Sequence, residues 1–347
     1  MLSKAKNHLL FLGNLIKGRF LSKKIPLVVF LNVTNRCNIK CTYCYGDYYN
    51  RKERDFSAEE LLGLIDDFAA MGTRSIYLSG GEPLLRKDIG AVINAVKNKG
   101  MLCFINTNGI LLPEKIEEVR NVDALTISLD GDQEVNDKNR GEGSFEKTIK
   151  GIDAAYKSGI KFALNTVVSK DSLNSIDYIL KLAEEYGCTA EFNLPYQQSM
   201  GNIENDTVSL SDEEIKINLQ RLIQKKKEGA PITFSRQTRE YALSWPLSYY
   251  EKVLYKGIEG FKELSCYAGQ FMCMIDSDGK VYPCGQLIGD FPELDVREKG
   301  FRKCWEELSE LKTCKSCYSL CFNEFNFLFD LNPNVIFASL LRFINKR

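Results

Sequence analysis

Residues 27–46 read LVVFLNVTNRCNIKCTYCYG, an apolar run from Leu27 to Val33 followed at once by Cys37, Cys41 and Cys44. The run has the composition and length of a buried strand. The three cysteines are spaced x3 and then x2. Three thiolates can hold three irons of a four-iron cluster and leave the fourth open, whereas an electron-carrying cluster is normally closed by a fourth cysteine. An open iron is a place for a small molecule to chelate, so the triplet reads as a reactive centre. A zinc site short of one ligand is the alternative, disfavoured because no histidine or fourth cysteine lies nearby. The chain's one histidine, His8, falls in a segment read as a surface helix, which closes both general-base and zinc roles for histidine.

Outward from this run, residues 27–195 alternate short β-rich segments with helical periodicity, the pattern of βα units on a parallel sheet. The expected strands are Leu27–Val33, Ser75–Leu78, Leu102–Asn106, Ala124–Leu129, Lys161–Val167 and Ala190–Leu194. A helix from Ser57 to Met71 starts with a serine cap and Glu60 three residues on. Others are expected near 88–99, 113–119, 144–157 and 174–186. Six strands make an α/β partial (β/α)6 barrel of TIM type, short of eight-stranded closure. In such folds chemistry gathers at the carboxyl ends of the strands. The triplet lands there, and so do SGGEP (79–83), NTNG (106–109), SLDG (128–131), NTVV (165–168) and NLP (193–195).

The chain has 347 residues, 44% of them hydrophobic, enough for one barrel-sized domain or two ordinary ones. Lys+Arg and Asp+Glu both number 46, so no bulk basic surface points to nucleic acid. Twelve cysteines in tight local groups within a large chain read as metal ligands in a reducing cytoplasm rather than as disulfides. The first 24 residues carry six basic residues and no acid among apolar partners. Gly13 and Asn14 interrupt the apolar part and no small-residue cleavage site follows, so export is rejected. No run reaches the roughly 20 apolar residues needed to span a bilayer.

The triplet, the Gly-Gly-Glu-Pro rim and the strand order together resemble the radical SAM enzymes, and the resemblance covers most of the chain. It implies that Cys37, Cys41 and Cys44 ligate a [4Fe–4S] cluster whose open iron binds S-adenosylmethionine (SAM). Tyr43 takes the place of the aromatic near the adenine. Gly80, Gly81, Glu82 and Pro83 would meet the methionine amino group, which needs carbonyl or carboxylate acceptors and a close backbone. Ser128, Asp130 and Arg140 match the ribose and carboxylate contacts, and a guanidinium suits a carboxylate. Asn165 and Leu194 match late-strand residues facing the ribose and adenine. Each has a plainer alternative, Glu82 as a turn carboxylate and Arg140 as a solvated loop charge. The resemblance further implies one-electron reduction by a donor such as flavodoxin or ferredoxin, cleavage of SAM to a 5′-deoxyadenosyl radical, and hydrogen abstraction from a substrate C–H bond. A cluster protein that only carries electrons, or binds SAM without turnover, is the other reading.

A second cysteine group covers CYAGQFMCMIDSDGKVYPC and CKSCYSLC. Cys266 and Cys284 flank an expected hairpin turned at Asp278-Gly279. This part resembles the first half of the SPASM or twitch extensions, which implies one auxiliary iron–sulfur cluster held by Cys266, Cys284 and two of Cys314, Cys317 and Cys321, most simply the C-x2-C pair. A zinc ribbon is the alternative. Cys103, Cys188, Cys273 and Cys304 read as small buried hydrophobes. The expected organisation is a basic N-terminal segment (1–26), the barrel (27–195), a substrate-specific connection (196–262), the cluster domain (263–325) and an amphipathic tail (326–347). Peptides, sugars and lipid-linked precursors are all open as substrates, leader-peptide recognition being less expected with only 26 residues before the first strand. Both ends look like interfacial helices, an expectation of peripheral contact at the inner membrane face.

Overall fold

The computed structural model describes residues 2–21, 23–46, 48–195, 209–311 and 314–336. The polar stretch at 196–208 and residues 337–347 of the amphipathic tail lie outside the described residues.

A long helix, α1 (Leu2–Phe20), precedes β1 (Val28–Thr34). Then follow α2 (Ala58–Met71), β2 (Ser75–Gly80), α3 (Ile89–Asn98), β3 (Leu102–Thr107), α4 (Leu112–Lys115), β4 (Ala124–Ser128), α5 (Gln133–Arg140), α6 (Ser144–Lys157), β5 (Phe162–Val167), α7 (Ile176–Glu185) and β6 (Thr189–Asn193). The Ser57–Glu60 capping box starts α2, and Gly72 at φ 97° ends it, a left-handed position that favours glycine. All six expected strands form and pair in parallel in the order of the chain. The expected helix at 113–119 shortens to a single turn. Its remainder unwinds into turns that bring the Asp123 carboxylate onto the Cys103 N–H at 2.9 Å.

The second half contains α8 (Asp212–Lys227), α9 (Arg236–Leu243), β7 (Val253–Leu254), β8 (Met272–Ile275), β9 (Val281–Tyr282), α10 (Val296–Lys299), α11 (Phe301–Glu310), β10 (Ser316–Cys317) and α12 (Leu320–Phe329). The expected hairpin is β8–β9. It does not stand apart: β8 runs parallel to β1, pairing Val28 with Met272 through to Leu31 with Ile275, so the sheet reads β6-β5-β4-β3-β2-β1-β8-β9. Segments 27–195 and 263–325 thus share one sheet and one core.

Alternation along the strands divides that sheet into two faces. Val29, Leu31, Ile76, Leu78, Cys103 and Ile105 point outward and are buried against the helices. Inward, Phe30, Tyr77 and Phe104 stack in register, with ring centroids 5.1 and 4.6 Å apart. One layer nearer the carboxyl ends come Asn32, Ser79 and Asn106, all lining an interior cavity. The helix α12 closes the open side with a face spaced i, i+3, i+4, i+7: Cys321, Glu324, Phe325 and Leu328. Among the described residues no helix is long and apolar enough to cross a membrane.

Candidate active site

The cavity enclosed by β1–β6 and α12 has a volume of about 1580 Å³. Cys37, Cys41 and Cys44 line its upper end, and the Phe30–Tyr77–Phe104 stack forms its waist.

The cysteine loop is fixed by the loop after β2. Gly81 N–H donates to Thr34 O at 2.9 Å and Glu82 N–H to Arg36 O at 2.8 Å, stitching the Gly-Gly-Glu-Pro segment to the residues leading into Cys37. Only glycine fits. A Cβ on Gly81 would lie 2.1 Å from Arg36 O, and one on Gly80, at φ 124°, 2.5 Å from Thr34 O. Both glycines line the cavity, so their backbone faces the expected amino group. Glu82 is placed differently: it is fully buried and outside the cavity wall. Its carboxylate accepts from Asn108 N–H (2.7 Å), Thr107 Oγ1 (2.8 Å) and Leu84 N–H (3.0 Å). Burial outweighs these donors and pushes its pKa up to about 7. Glu82 therefore ties the end of β3 to the glycine loop, and Pro83 is buried behind it. Their role is to hold the rim in position, as the turn-carboxylate alternative supposed for Glu82.

Across the rim, Asp130 and Arg140 also depart from expectation. Arg140 reaches Asp130 through Nε at 2.9 Å and Nη2 at 3.2 Å, both side chains being buried. The Tyr43 hydroxyl donates to the same carboxylate, as does Val167 N–H at 3.2 Å. With four donors Asp130 is consumed as an anchor instead of standing open as a ribose ligand. The guanidinium lies over the Tyr43 ring, 5.6 Å from its centroid, so the aromatic before the third cysteine is clamped by one buried ion pair. Thr42 N–H to Asn139 O at 2.9 Å fastens the cysteine loop to α5. Arg140 is thus no solvated charge. It lines the cavity beside Cys41, whose thiol it draws toward the ionised form.

Ser128, Asn165 and Leu194 line the same cavity, and Asn165 Oδ1 accepts from Asn193 Nδ2 at 2.8 Å. Burial, with a smaller contribution from Cys44, pushes the Cys37 thiol up to about 11 and the Cys41 thiol to about 12. Three thiols within electrostatic reach, a glycine cradle and a buried cation fit a cluster that carries negative charge and needs a positive neighbour. Among the described residues no three His, Cys, Asp or Glu side chains gather round a single point as one metal ion requires.

The second cysteine group divides. Cys266 and Cys314 share a hydrogen bond that holds Cys266 below the usual thiol range, while that bond and burial push Cys314 up. Cys284 and Cys317 are within electrostatic reach of Cys266, and burial raises both thiols, Cys284 to about 12. Cys284, Cys314 and Cys317 belong to one buried cluster against which Cys266 packs. Cys321 lies on the cavity face of α12, within electrostatic reach of Cys284 and Cys317 but outside their apolar cluster, and burial and then the charges of Glu191 and Glu324 raise its thiol. Cys103, Cys273 and Cys304 are buried as expected, whereas Cys188 is only half-buried and lines the lower cavity.

Sequence reasoning overlooked a polar junction beside Cys44. Asn32 Nδ2 donates to Tyr48 OH (2.6 Å) and to Asp276 Oδ1 (2.9 Å), and Arg51 pairs with Asp276 at 2.8 Å, joining β1, the cysteine loop and the β8–β9 hairpin. A buried asparagine within an apolar strand was the available signal.

The Radical SAM superfamily model matches residues 31–183. With the rim thiols, glycine cradle and partial barrel, this places the chain in the radical SAM superfamily, whose cofactors are a [4Fe–4S] cluster and SAM. It is 33% identical over 295 residues to the AdoMet-dependent heme synthase of Methanosarcina barkeri, covering 81% of this chain and 82% of that protein. It is 31% identical over 309 residues to the Fe-coproporphyrin III synthase of the same organism, covering 84% and 76%. In fold it is similar to Streptococcus suis SuiB bound to S-adenosylmethionine, with TM-score 0.65 and 17% identity over 86% of this chain and 71% of that one.

Proposed function

We propose that this radical SAM enzyme oxidises a neutral or cationic organic substrate, such as a peptide side chain, inside the barrel, with an auxiliary cluster held by Cys266, Cys284, Cys314 and Cys317 taking up an electron. When loaded, the Cys37/Cys41/Cys44 site supplies reductive cleavage of SAM and a radical that removes hydrogen from a C–H bond. The carrying observation is that one cavity touches both cysteine groups: the rim thiols line it directly, and Gly285, Gln286 and Ser319, next to Cys284 and Cys317, line it farther round. Gly80, Gly81, Ser128, Asn165 and Leu194 orient SAM, Arg140 and Tyr43 brace the cysteine loop, and the aromatic waist excludes water.

The names of two relatives raise iron tetrapyrroles as a second reading. Interior charge supports the first. Among the described residues the wall carries Glu191 near the rim and Glu324, which accepts from Ser235 and Thr238; its one guanidinium, Arg140, is engaged by Asp130, and Lys161 lines it just before β5. A propionate-bearing tetrapyrrole needs cations there to offset the desolvation of its carboxylates.

Anaerobic reconstitution followed by dithionite and SAM tests the reading. Formation of 5′-deoxyadenosine with about eight irons per chain is expected for two four-iron clusters. No 5′-deoxyadenosine overturns the enzyme reading, about four irons overturns the auxiliary cluster, and saturable binding of Fe-coproporphyrin III with a Soret shift overturns the substrate assignment.

A further inference from the structure

The described residues include 13 exposed large hydrophobic side chains, and six of them, Leu9, Leu10, Leu12, Ile16, Phe20 and Leu21, fall within residues 9–21. Their arrangement is regular. At 3.6 residues per turn, Leu9, Leu12, Ile16 and Phe20 form one continuous stripe along α1. The opposite stripe, Asn7, Phe11, Leu15 and Gly18, faces the protein. Asn7 and Leu15 are buried, Phe11 stacks on Phe329 with centroids 6.4 Å apart, and Gly18 lies so close to Phe271 that a Cβ would be 2.2 Å from the ring. The helix is therefore seated by one face and presents an apolar stripe on the other, with Ile16 44% and Phe20 73% exposed. A surface helix of a globular protein ordinarily turns charge to that side.

The charges stand at the margins. Exposed Lys17 follows Ile16 and exposed Lys23 follows the helix, within a 24-residue segment holding six basic residues and no acid, while Arg19 turns onto Tyr267 and Asp330 and Lys24 pairs with Glu310. An apolar stripe edged by Lys17 and Lys23 complements an anionic bilayer surface, where the stripe enters the acyl boundary and the lysines remain at the headgroups. Asn7, Phe11 and Leu15 of the seated face and Leu9 and Leu12 of the stripe all line the barrel cavity, so the helix borders a mouth of the interior.

We propose that α1 is an interfacial helix that seats the enzyme on the surface of an anionic lipid bilayer, with the lower mouth of the cavity beside the membrane. The test is flotation of the full-length, cluster-reconstituted protein with phosphatidylcholine vesicles and with vesicles containing about 30% phosphatidylglycerol. Binding is expected to the anionic vesicles, weakened by 0.5 M NaCl as a test condition, about tenfold or more weaker on neutral ones. The pair Ile16→Glu and Phe20→Glu, which lies outside the cavity wall, is expected to lower partitioning at least about tenfold while leaving iron content and 5′-deoxyadenosine formation unchanged. No binding to anionic vesicles overturns the proposal. So does binding that survives the double substitution, or a stable dimer in solution that the substitution dissolves, since the stripe would then be covered by a second copy. Flotation needs no turnover, so its failure leaves the proposed reaction untouched.

Discussion

The two cysteine groups are built in opposite ways. Cys37, Cys41 and Cys44 lie on one loop after one strand, half-exposed at the mouth of a cavity. Cys266, Cys284, Cys314 and Cys317 come from three distant segments, and all but Cys266 are buried in one apolar cluster. A local, half-open set holds a group while leaving one face accessible to SAM. A non-local, closed set suits a centre that exchanges electrons without meeting substrate. The contrast teaches that, on the proposed assignment, access more than thiol count separates the reactive centre from the auxiliary one.

The largest expected effect breaks the first side of that comparison. Cys41→Ala removes a rim thiol that faces Arg140 and abolishes 5′-deoxyadenosine formation, with iron dropping from about eight to about four per chain. Retained cleavage would sink the assignment. Cys317→Ala acts on the other side: iron again falls to about four, yet SAM cleavage continues while substrate oxidation stops. Loss of both activities together would mean that the second group supports the fold of the first.

A smaller effect comes from Glu82, the strut between β3 and the glycine loop at the rim. The pKa of Glu82 is about 7 in the folded protein against an ordinary 4.5, so the fold favours its protonated form. Its contribution to stability is complete below the ordinary value and is lost as pH rises through about 7. That gap corresponds to at most about 3 kcal/mol. Glu82→Gln keeps the shape without the titration. Denaturant melts at pH 5.5 and 8.5, chosen to bracket the folded value, should show the variant gaining on the wild type by about 2 kcal/mol at the higher pH. A parallel pair of curves would show that Glu82 stays ionised throughout.

Legibility followed locality. All six barrel strands could be read from apolar runs because each is specified by its own residues, and the rim trio from spacing alone. The pairing of β8 with β1 could not, since nothing in Met272–Ile275 states which edge it joins. The helix α5 escaped because it is polar at every position but Val135, QEVNDKNR, with only the Asp132 cap to announce it. The same limit applied to Asp130 and Arg140. Each residue type suited a ligand contact, but their separation across the first turn of the βα loop and α5 hid that each engages the other.

Cys321 is where that limit was sharpest, and it carries the smallest effect. Three cysteines, Cys314, Cys317 and Cys321, competed for two places, and spacing alone favoured the C-x2-C pair without excluding the third. In the fold the β10 strand and the start of α12 separate them: Cys317 packs in the apolar cluster with Cys284 and Cys314, while Cys321, the second residue of α12, lines the cavity near Glu191 and near Glu324 one turn on along the same helix. A thiol beside two carboxylates is poorly placed to hold an anionic cluster, because each neighbour disfavours the thiolate. Cys321→Ala should therefore leave about eight irons per chain and the SAM-cleavage rate unchanged. A fall of about four irons would move Cys321 into the auxiliary set and make one of Cys314 and Cys317 the spare thiol, closing the difference between a buried quartet and a cavity that both groups would then enter.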